Sequence, residues 1–439
     1  MNGLFRKILE WSGFPFSAAR DRLAEVQQLK TRSQATDYQR KMAWELFEHH
    51  RRNNPAYAGI LGDRVIEKWE DIPVLRKLDI QMPFEERLTK GIPKNQLHTH
   101  YTSGSSGKPF FFAKDKFAHA MFWSVIDNRY GWHGVNMGAD IQARFYGITL
   151  RKPKYYTELI KDRLAGRIRY PVYDLSDTKL EQILASMKRR RLAYINGYTS
   201  ALVLFAKFLL ARGLTLKKEC PHLKVVIPTS EVCDDIDKAT LEKAFGVRVA
   251  NEYGAADADI IAFHDKDFDW VVNYETLLVE ILDDDGKPVA DGEEGRVVVT
   301  LLYNRAMPFI RYEIGDRAVL ESRTKGPYQV MKQVIGRTND IVKLPNGVTA
   351  GGMTLYYVIK KYLEDGGKTK EMVIRQKALD RFHIEYVADK DLTDDDKKIL
   401  LGAMDQYLIP GLETSFERKE TIERSAAGKL KHFYSELPA

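Results

Sequence analysis

The sequence predicts an α/β protein in two parts: a large N-terminal body of helix-covered sheets that includes an antiparallel β module, and a small α+β domain at the C-terminus. The first observation behind this is size, since 439 residues exceed what one ordinary core encloses and a hydrophobic fraction of 44% supplies a large interior. The second is the alternation between about 110 and 250. There, helical stretches such as KLEQILASMKRRR and TSALVLFAKFLLARG sit between the short apolar runs LAYIN and LKVVIPT, the pattern of buried strands covered by helices. The third is a change of character from 270 to 335, where VVNYETLLVEIL, EGRVVVTLL and RAVLE are separated by DDDG and DGEEG turns, as antiparallel strands require.

In chain order, Leu4, Phe5, Ile8, Leu9 and Trp11 make one face of a short helix suited to core or lid packing. Arg6, Lys7 and Glu10 interrupt that stretch, which is too short and too charged for a signal peptide, and no later run approaches the roughly 20 apolar residues of a membrane span. Residues 18–52 read as two charged amphipathic helices, ended by a break at NNPAYAG. After the strand and helix alternation and the β module, DIVKLPNGVTAGG (340–352) is rich in turn residues and reads as a linker or hinge. Beyond it, EMVIRQ and RFHIEYVA alternate like strands and DDKKILLGAMDQYL reads as a helix.

Charge and cysteine usage narrow the function classes. The formal charge is +7, with 68 basic residues interleaved among 61 acidic ones, a weak preference for anionic ligands. KRRR (188–191) ends an amphipathic helix without interleaved aromatic residues, so it reads as a solvated face, and no nucleic-acid partner is expected. Cys220 and Cys233 form neither a CxxC nor a disulfide framework, which suits a reducing cytoplasm. HDKDFD (264–269) reads as a loop, and DDDG (283–286) lacks EF-hand spacing and reads as a hairpin turn.

One decapeptide carries more chemistry: YTSGSSGKPF (101–110) sets small hydroxyl side chains among glycines and follows them with a lysine. Glycine lets a backbone approach a ligand closely, hydroxyls donate hydrogen bonds and lysine adds positive charge, a phosphate-holding composition that is also found in plain turns. It is not a P-loop. Thr102 stands five before Gly107 where that motif needs glycine, and Pro109 follows Lys108 where Ser or Thr should meet magnesium.

Four further stretches extend the pattern: NEYGAADADI (251–260), MPFIRYEIGD (307–316), GRTNDIVK (336–343) and ERSAAGKLK (423–431). Together with YTSGSSGKP, in this order and at these spacings, they resemble the motifs of the adenylate-forming synthetase superfamily, within it the phenylacetate-coenzyme A ligase-like branch that includes capsular polysaccharide biosynthesis proteins. The resemblance implies an adenylation core over 1–338 and a mobile C-terminal lid over 339–439. It also implies activation of a small carboxylic acid with ATP and magnesium to an acyl-adenylate, then transfer to coenzyme A, with an amine as the alternative acceptor. Asp257 stands where the family usually has Glu, Ala256 where it has Thr and Asn339 where it has Asp or Lys, so a nucleotide-binding scaffold without catalysis is the reading from another class. Dimers are common in this branch, which leaves a homodimer open.

Residue by residue, the resemblance assigns Thr102, Ser103, Gly104, Ser105, Ser106, Gly107 and Lys108 to the phosphates of ATP. Ser230 and Glu231 border the adenine, Tyr253 stacks on it, and Asn251, Glu252 and Gly254 complete the aromatic motif. Asp257 is the magnesium and catalytic carboxylate, reaching about 1.5 Å less than Glu, with Asp259 in reserve. Asp316 accepts from the ribose hydroxyls and Arg337 contacts ribose and phosphate. Asn339 is the hinge and Lys429 the mobile catalytic cation. Tyr146 and Gly147, in RFYGI, and Tyr198, in INGYT, border the acid.

Overall fold

The computed structural model describes residues 10–80, 82–102, 110–147, 152–172, 175–337, 341–345, 347, 349–351, 355, 358–359, 362, 369, 371–423 and 432–437. The chain divides into two compact units, Met1–Ile314 with Ala318–Gln333, and Gly315–Arg317 with Val334–Ala439.

The first unit opens with α1 (Phe16–Val26) and α2 (Arg32–Asn53). Thr31 caps α2 by accepting from the Gln34 N–H, and Gln34 reaches back to the cap, a reciprocal pair that satisfies two orphan donors. The inward face of α2 recurs at helical spacing: Ala35, Gln39, Ala43, Leu46, Phe47 and His50. NNPAYAG, expected as a break, instead starts α3 (Pro55–Leu61), because Pro55 fits the first helical turn and the Asn54 side chain accepts from the Tyr57 N–H.

After β1 (Leu75–Arg76), the hairpin of β2 (Leu97–Thr102) and β3 (Phe110–Asp115) leads into α4 (Lys116–Gly131), capped by Asp115 through the Ala118 N–H. The expected alternation follows: β4 (Ile141–Phe145), α5 (Lys152–Leu164), β5 (Arg167–Tyr170), α6 (Asp177–Lys188), β6 (Leu192–Tyr198), α7 (Thr199–Ala211), α8 (Leu216–Glu219), β7 (Val225–Thr229) and α9 (Asp235–Phe245). β5, β4, β6 and β7 lie side by side in parallel. Every residue of β6 and of β7 is buried, as expected for strands covered on both faces. Leu180, Ile183, Met187, Leu202, Phe205 and Phe245 pack on one face of this sheet. Ile126 and Tyr130 of α4 pack on the other, against Tyr194, Val225 and Ile227.

The antiparallel strands are not a separate module. β8 (Glu252–Ala255) joins β7 in parallel and then pairs antiparallel with β9 (Asp259–His264), so one mixed sheet runs on through β10 (Trp270–Val272), β14 (Tyr328–Arg337), β13 (Tyr312–Lys325), β12 (Glu294–Leu301) and β11 (Leu277–Leu282). VVNYETLLVEIL is two strands because Asn273 turns the chain between them, exchanging hydrogen bonds with the Thr276 hydroxyl and N–H. KRRR is exposed, and HDKDFD is a loop whose Asp265, Asp267 and Asp269 all meet Lys325 at 2.5–2.9 Å.

The second unit holds a hairpin, β15 (Ile341–Lys343) with β16 (Thr349–Gly351), where the sequence suggested a linker. Val342 and Leu344 of that stretch are buried, which makes it part of the unit's own core. The remaining sheet comprises β17 (Glu371–Gln376), β18 (Arg381–Val387), β19 (Glu413–Arg418) and β20 (Phe433–Ser435), in the order β19-β18-β17-β20. The helix α10 (Asp394–Tyr407) contributes Leu400, Ala403 and Met404 to the same core as Met372, Ile374, Phe382 and Ile384. Among the described residues, no helix is long and apolar enough to cross a membrane.

One buried ion pair fastens the N-terminal helices to the sheet of the first unit. Arg129 Nη2 lies 2.5 Å from Glu275 Oε2, both side chains being at most 1% exposed, and Glu275 also accepts from Gln27 of the α1 C-terminus and from Tyr328. Removing one partner strands a buried charge, so Glu275→Ala is expected to destabilise the first unit by about 3–5 kcal/mol. Urea unfolding followed by tryptophan fluorescence measures it; a loss below about 1 kcal/mol would mean that the pair is not structural.

Candidate active site

The assigned residues of the first unit converge on the C-terminal edge of the parallel strands, where open α/β sheets bind ligands. Tyr198 at the end of β6 is level with Thr229 of β7, which is level with Glu252 of β8. Tyr146 follows β4; its hydroxyl donates to Asn196 Oδ1 at 2.9 Å and its ring lies 4.8 Å from that of Tyr198. The Gly147 carbonyl accepts from Arg169 at 3.0 Å. Gly197, between Asn196 and Tyr198, admits no side chain, since a Cβ there would come within 2.5 Å of Phe145 Cβ.

Just past β7, Ser230 is exposed and takes φ 68°, a left-handed conformation uncommon outside glycine. Glu231 closes the adjacent helix end: its Oε2 accepts from the Ser200 N–H at 2.7 Å and its carbonyl from the Thr199 hydroxyl. A carboxylate suits the positive end of α7. Its Oε1 is buried with no hydrogen-bond partner among the described residues.

Strand β8 sends alternate side chains to opposite faces. Glu252 accepts from the Tyr130 hydroxyl at 2.9 Å, and burial pushes its carboxyl above the usual range against the pull of Thr229, Tyr130 and Arg144. Tyr253 faces the other way, 9% exposed, its ring edge-on to Trp270 at 6.2 Å. Gly254 is obligatory where the ladder bulges, because a Cβ would lie 2.4 Å from the Asp259 carbonyl oxygen. Asn251 is tied to the Cys233 carbonyl.

Two carboxylates follow. Asp257 is 7% exposed and its Oδ2 accepts from the Tyr312 hydroxyl at 2.9 Å, while Oδ1 makes no hydrogen bond among the described residues. Asp259, at φ 64°, is buried in an ion pair with Lys114 of β3, so the reserve ligand is already engaged. Neither Tyr312 nor Lys114 stood out in the sequence. Tyr312 lies inside MPFIRYEIGD, so its partner was the hidden part; Lys114 follows the glycine-rich stretch by four residues and carries no motif signal. Arg311 of the same motif is an anchor, donating to the carbonyls of Glu70 and Ile72 and pairing with Glu280 at 3.2 Å.

Thr102 ends β2; Ser103, Gly104, Ser105, Ser106, Gly107, Lys108, Asn339 and Lys429 lie outside the described residues. Asp316, half-buried in β13, and Arg337, the last residue of β14, both belong to the second unit.

No family model matches the chain. It is 23% identical to Protein CapK of Staphylococcus aureus over 333 residues, 73% of this chain and 71% of that protein. It is 24% identical to phenylacetate-coenzyme A ligase of Thermus thermophilus over 294 residues, 64% of this chain and 63% of that one. The solved structure of 2-hydroxyisobutyryl-CoA ligase in the postadenylation state, in complex with 2-HIB-AMP, matches with a TM-score of 0.69 at 14% identity, over 90% of this chain and 88% of that one. The chain shares the fold of this acyl-CoA ligase. The expected α/β architecture therefore stands on that fold.

The Lys114–Asp259 pair holds the β2–β3 hairpin against the turn after β8. Lys114→Met is expected to cost about 3–5 kcal/mol by leaving Asp259 buried and unpaired, and adding Asp259→Asn, neutral and tolerant of the left-handed backbone, should recover part of the loss. A double-mutant cycle in urea measures the coupling; additive losses would mean that the two groups do not depend on each other.

Proposed function

We propose that this protein activates a carboxylic acid with ATP, releasing pyrophosphate, and passes the acyl group of the adenylate to coenzyme A. The observation that carries the reading is the shared strand edge: Tyr146, Tyr198 and Glu252 lie at the ends of neighbouring strands, with Glu231 just past β7 and Asp257 just past β8, on the fold of an adenylate-forming ligase. In the first step a carboxylate oxygen attacks the α-phosphorus, the bond to the bridging oxygen breaks, and pyrophosphate leaves with the electron pair. In the second, the coenzyme A thiolate attacks the acyl carbon and AMP departs. Both partners of the first step are anionic, so positioning and fixed positive charge supply most of the rate.

The roles follow the motif assignments. Thr102 through Lys108 hold the β- and γ-phosphates, Ser230 and Glu231 border the adenine, Tyr253 faces the base, and Asp316 with Arg337 holds the ribose. Magnesium would offset phosphate charge. A single carboxylate oxygen, Asp257 Oδ1, suits this ion, which keeps several waters and takes its remaining ligands from phosphates. Tyr312 orients that carboxylate. Lys429 is the cation for the transition state of the first step, and Asn339 is the point about which the C-terminal domain reorients between steps.

Pyrophosphate release over a panel of aryl, fatty, hydroxy and amino acids tests the reading. One acid should give release that depends on ATP and magnesium, and coenzyme A should raise turnover more than added amines do. Lys429→Ala should lower adenylate formation by roughly 10² or more, while thioester formation from preformed adenylate stays within a few-fold of wild type. ATP binding by calorimetry without any acid-dependent pyrophosphate release would replace the enzyme reading with that of a nucleotide-binding scaffold.

A further inference from the structure

The face of the parallel sheet that carries Glu252 also carries three arginines, and only one of them is fully answered. In register, Arg144 of β4 is level with Arg169 of β5 and Asn196 of β6, while Gln142 of β4 is level with Arg167 of β5 and Tyr194 of β6. Arg169 grips Asp162 with two hydrogen bonds, at 2.6 and 3.1 Å, and donates a third to Gly147. Arg144 comes no nearer than 3.8 Å to that same carboxylate, and its Nε is buried without a hydrogen-bond partner among the described residues. Its guanidinium lies over the Tyr146 ring at 4.4 Å. The Arg167 side chain has no hydrogen bond and no ion pair among the described residues; its guanidinium lies 5.1 Å from the Trp123 ring. Burial, with Arg144 close by, lowers Arg167 to about 10.

The two most deeply buried arginines of this protein have carboxylate partners. Arg129 has Glu275, and Arg311 has two carbonyls and Glu280. Arg144 and Arg167 are half-buried, and a guanidinium partly withdrawn from water without a full complement of partners costs stability, so their retention points to a ligand that supplies the missing charge. Glu252, on the same face, already accepts from the Tyr130 hydroxyl, and burial raises its carboxyl above the usual range against the pull of Thr229, Tyr130 and Arg144.

We infer that the acid activated by this protein carries a second carboxylate, bound by Arg167 and Arg144 between the rings of Trp123 and Tyr146. The inference rests on the acid-activating reading above and specifies its substrate class. A planar guanidinium fork matches a carboxylate in two hydrogen bonds, and the surrounding rings exclude water from the pair, so the distal charge decides which acids enter. Only the carboxylate remote from the arginines is activated; the bound one keeps its negative charge throughout and takes part in no bond change.

The test uses straight-chain and aryl diacids of graded length, each against the monoacid of equal length, with calorimetric binding in the presence of a non-hydrolysable ATP analogue and with pyrophosphate release as separate readouts. The expected result is that the best-fitting diacid binds at least tenfold more tightly than its monoacid, and that Arg167→Met abolishes this preference while leaving monoacid binding unchanged. Arg167→Lys should retain part of it. Arg167→Met should melt at or above the wild-type temperature, because it removes a half-buried charge with no ion-pair partner among the described residues, whereas a structural arginine would lower melting by roughly 5 °C or more. Equal affinity for diacids and monoacids, an equal loss for both in Arg167→Met, or a variant that weakens coenzyme A binding instead would each overturn the inference. Diacid-selective binding with no pyrophosphate from any acid sustains the anion site and removes the ligase reading. Pyrophosphate release from diacids and monoacids alike that is indifferent to Arg167→Met does the reverse.

Discussion

The buried contact between Lys114 and Asp259 is the constraint on which the site of the first unit depends. It joins the strand leaving the glycine-rich stretch to the turn that follows the aromatic motif, groups 145 residues apart in sequence. Neither partner is free to move toward water, since their side chains are 4% and 9% exposed. A buried pair of this kind contributes little net stability but strongly disfavours any arrangement that separates its halves. The left-handed backbone at Asp259, and the bulge that only Gly254 tolerates, are the local strain that accompanies the register it fixes.

Around that fixed point, strand β8 divides the chemistry by the simplest device available to a sheet, the alternation of its side chains. Glu252 turns to the face lined by Tyr130, Tyr146 and the arginines, and Tyr253 turns to the face that holds Trp270. One strand thereby serves two environments. The mixed sheet makes this economical, because β8 is parallel to β7 on one side and antiparallel to β9 on the other. The ends of the parallel strands and the start of the antiparallel part therefore meet at the same edge.

The sequence made the α/β class legible because fully covered strands such as β6 and β7 are continuous apolar runs bounded by amphipathic helices. It misjudged places where turn residues serve regular structure. Asn54 and Pro55 begin a helix, and the glycine- and proline-rich stretch from 341 to 351 forms a hairpin that buries Val342. The continuity of one sheet from β5 to β11 was not legible, since strand order is set by non-local pairing that local periodicity does not encode. The same reason separates what was and was not readable in the site. Tyr146, Tyr198 and Asp257 sit in recognisable local patterns. Lys114, Tyr312, Arg144 and Arg167 acquire meaning only from neighbours brought alongside by register.

The central claim is that the edge formed by β7, β8 and the turn to β9 is a nucleotide and acyl site. Hydrogen exchange with and without a stable acyl-sulfamate analogue of an adenylate tests it most directly, because it reads the backbone of the edge itself and needs no knowledge of the acceptor. The account predicts slowed exchange in peptides covering 229–234 and 252–259, with little change in α6 or α9 on the far face of the sheet. Unchanged exchange at both segments under saturating analogue would contradict it.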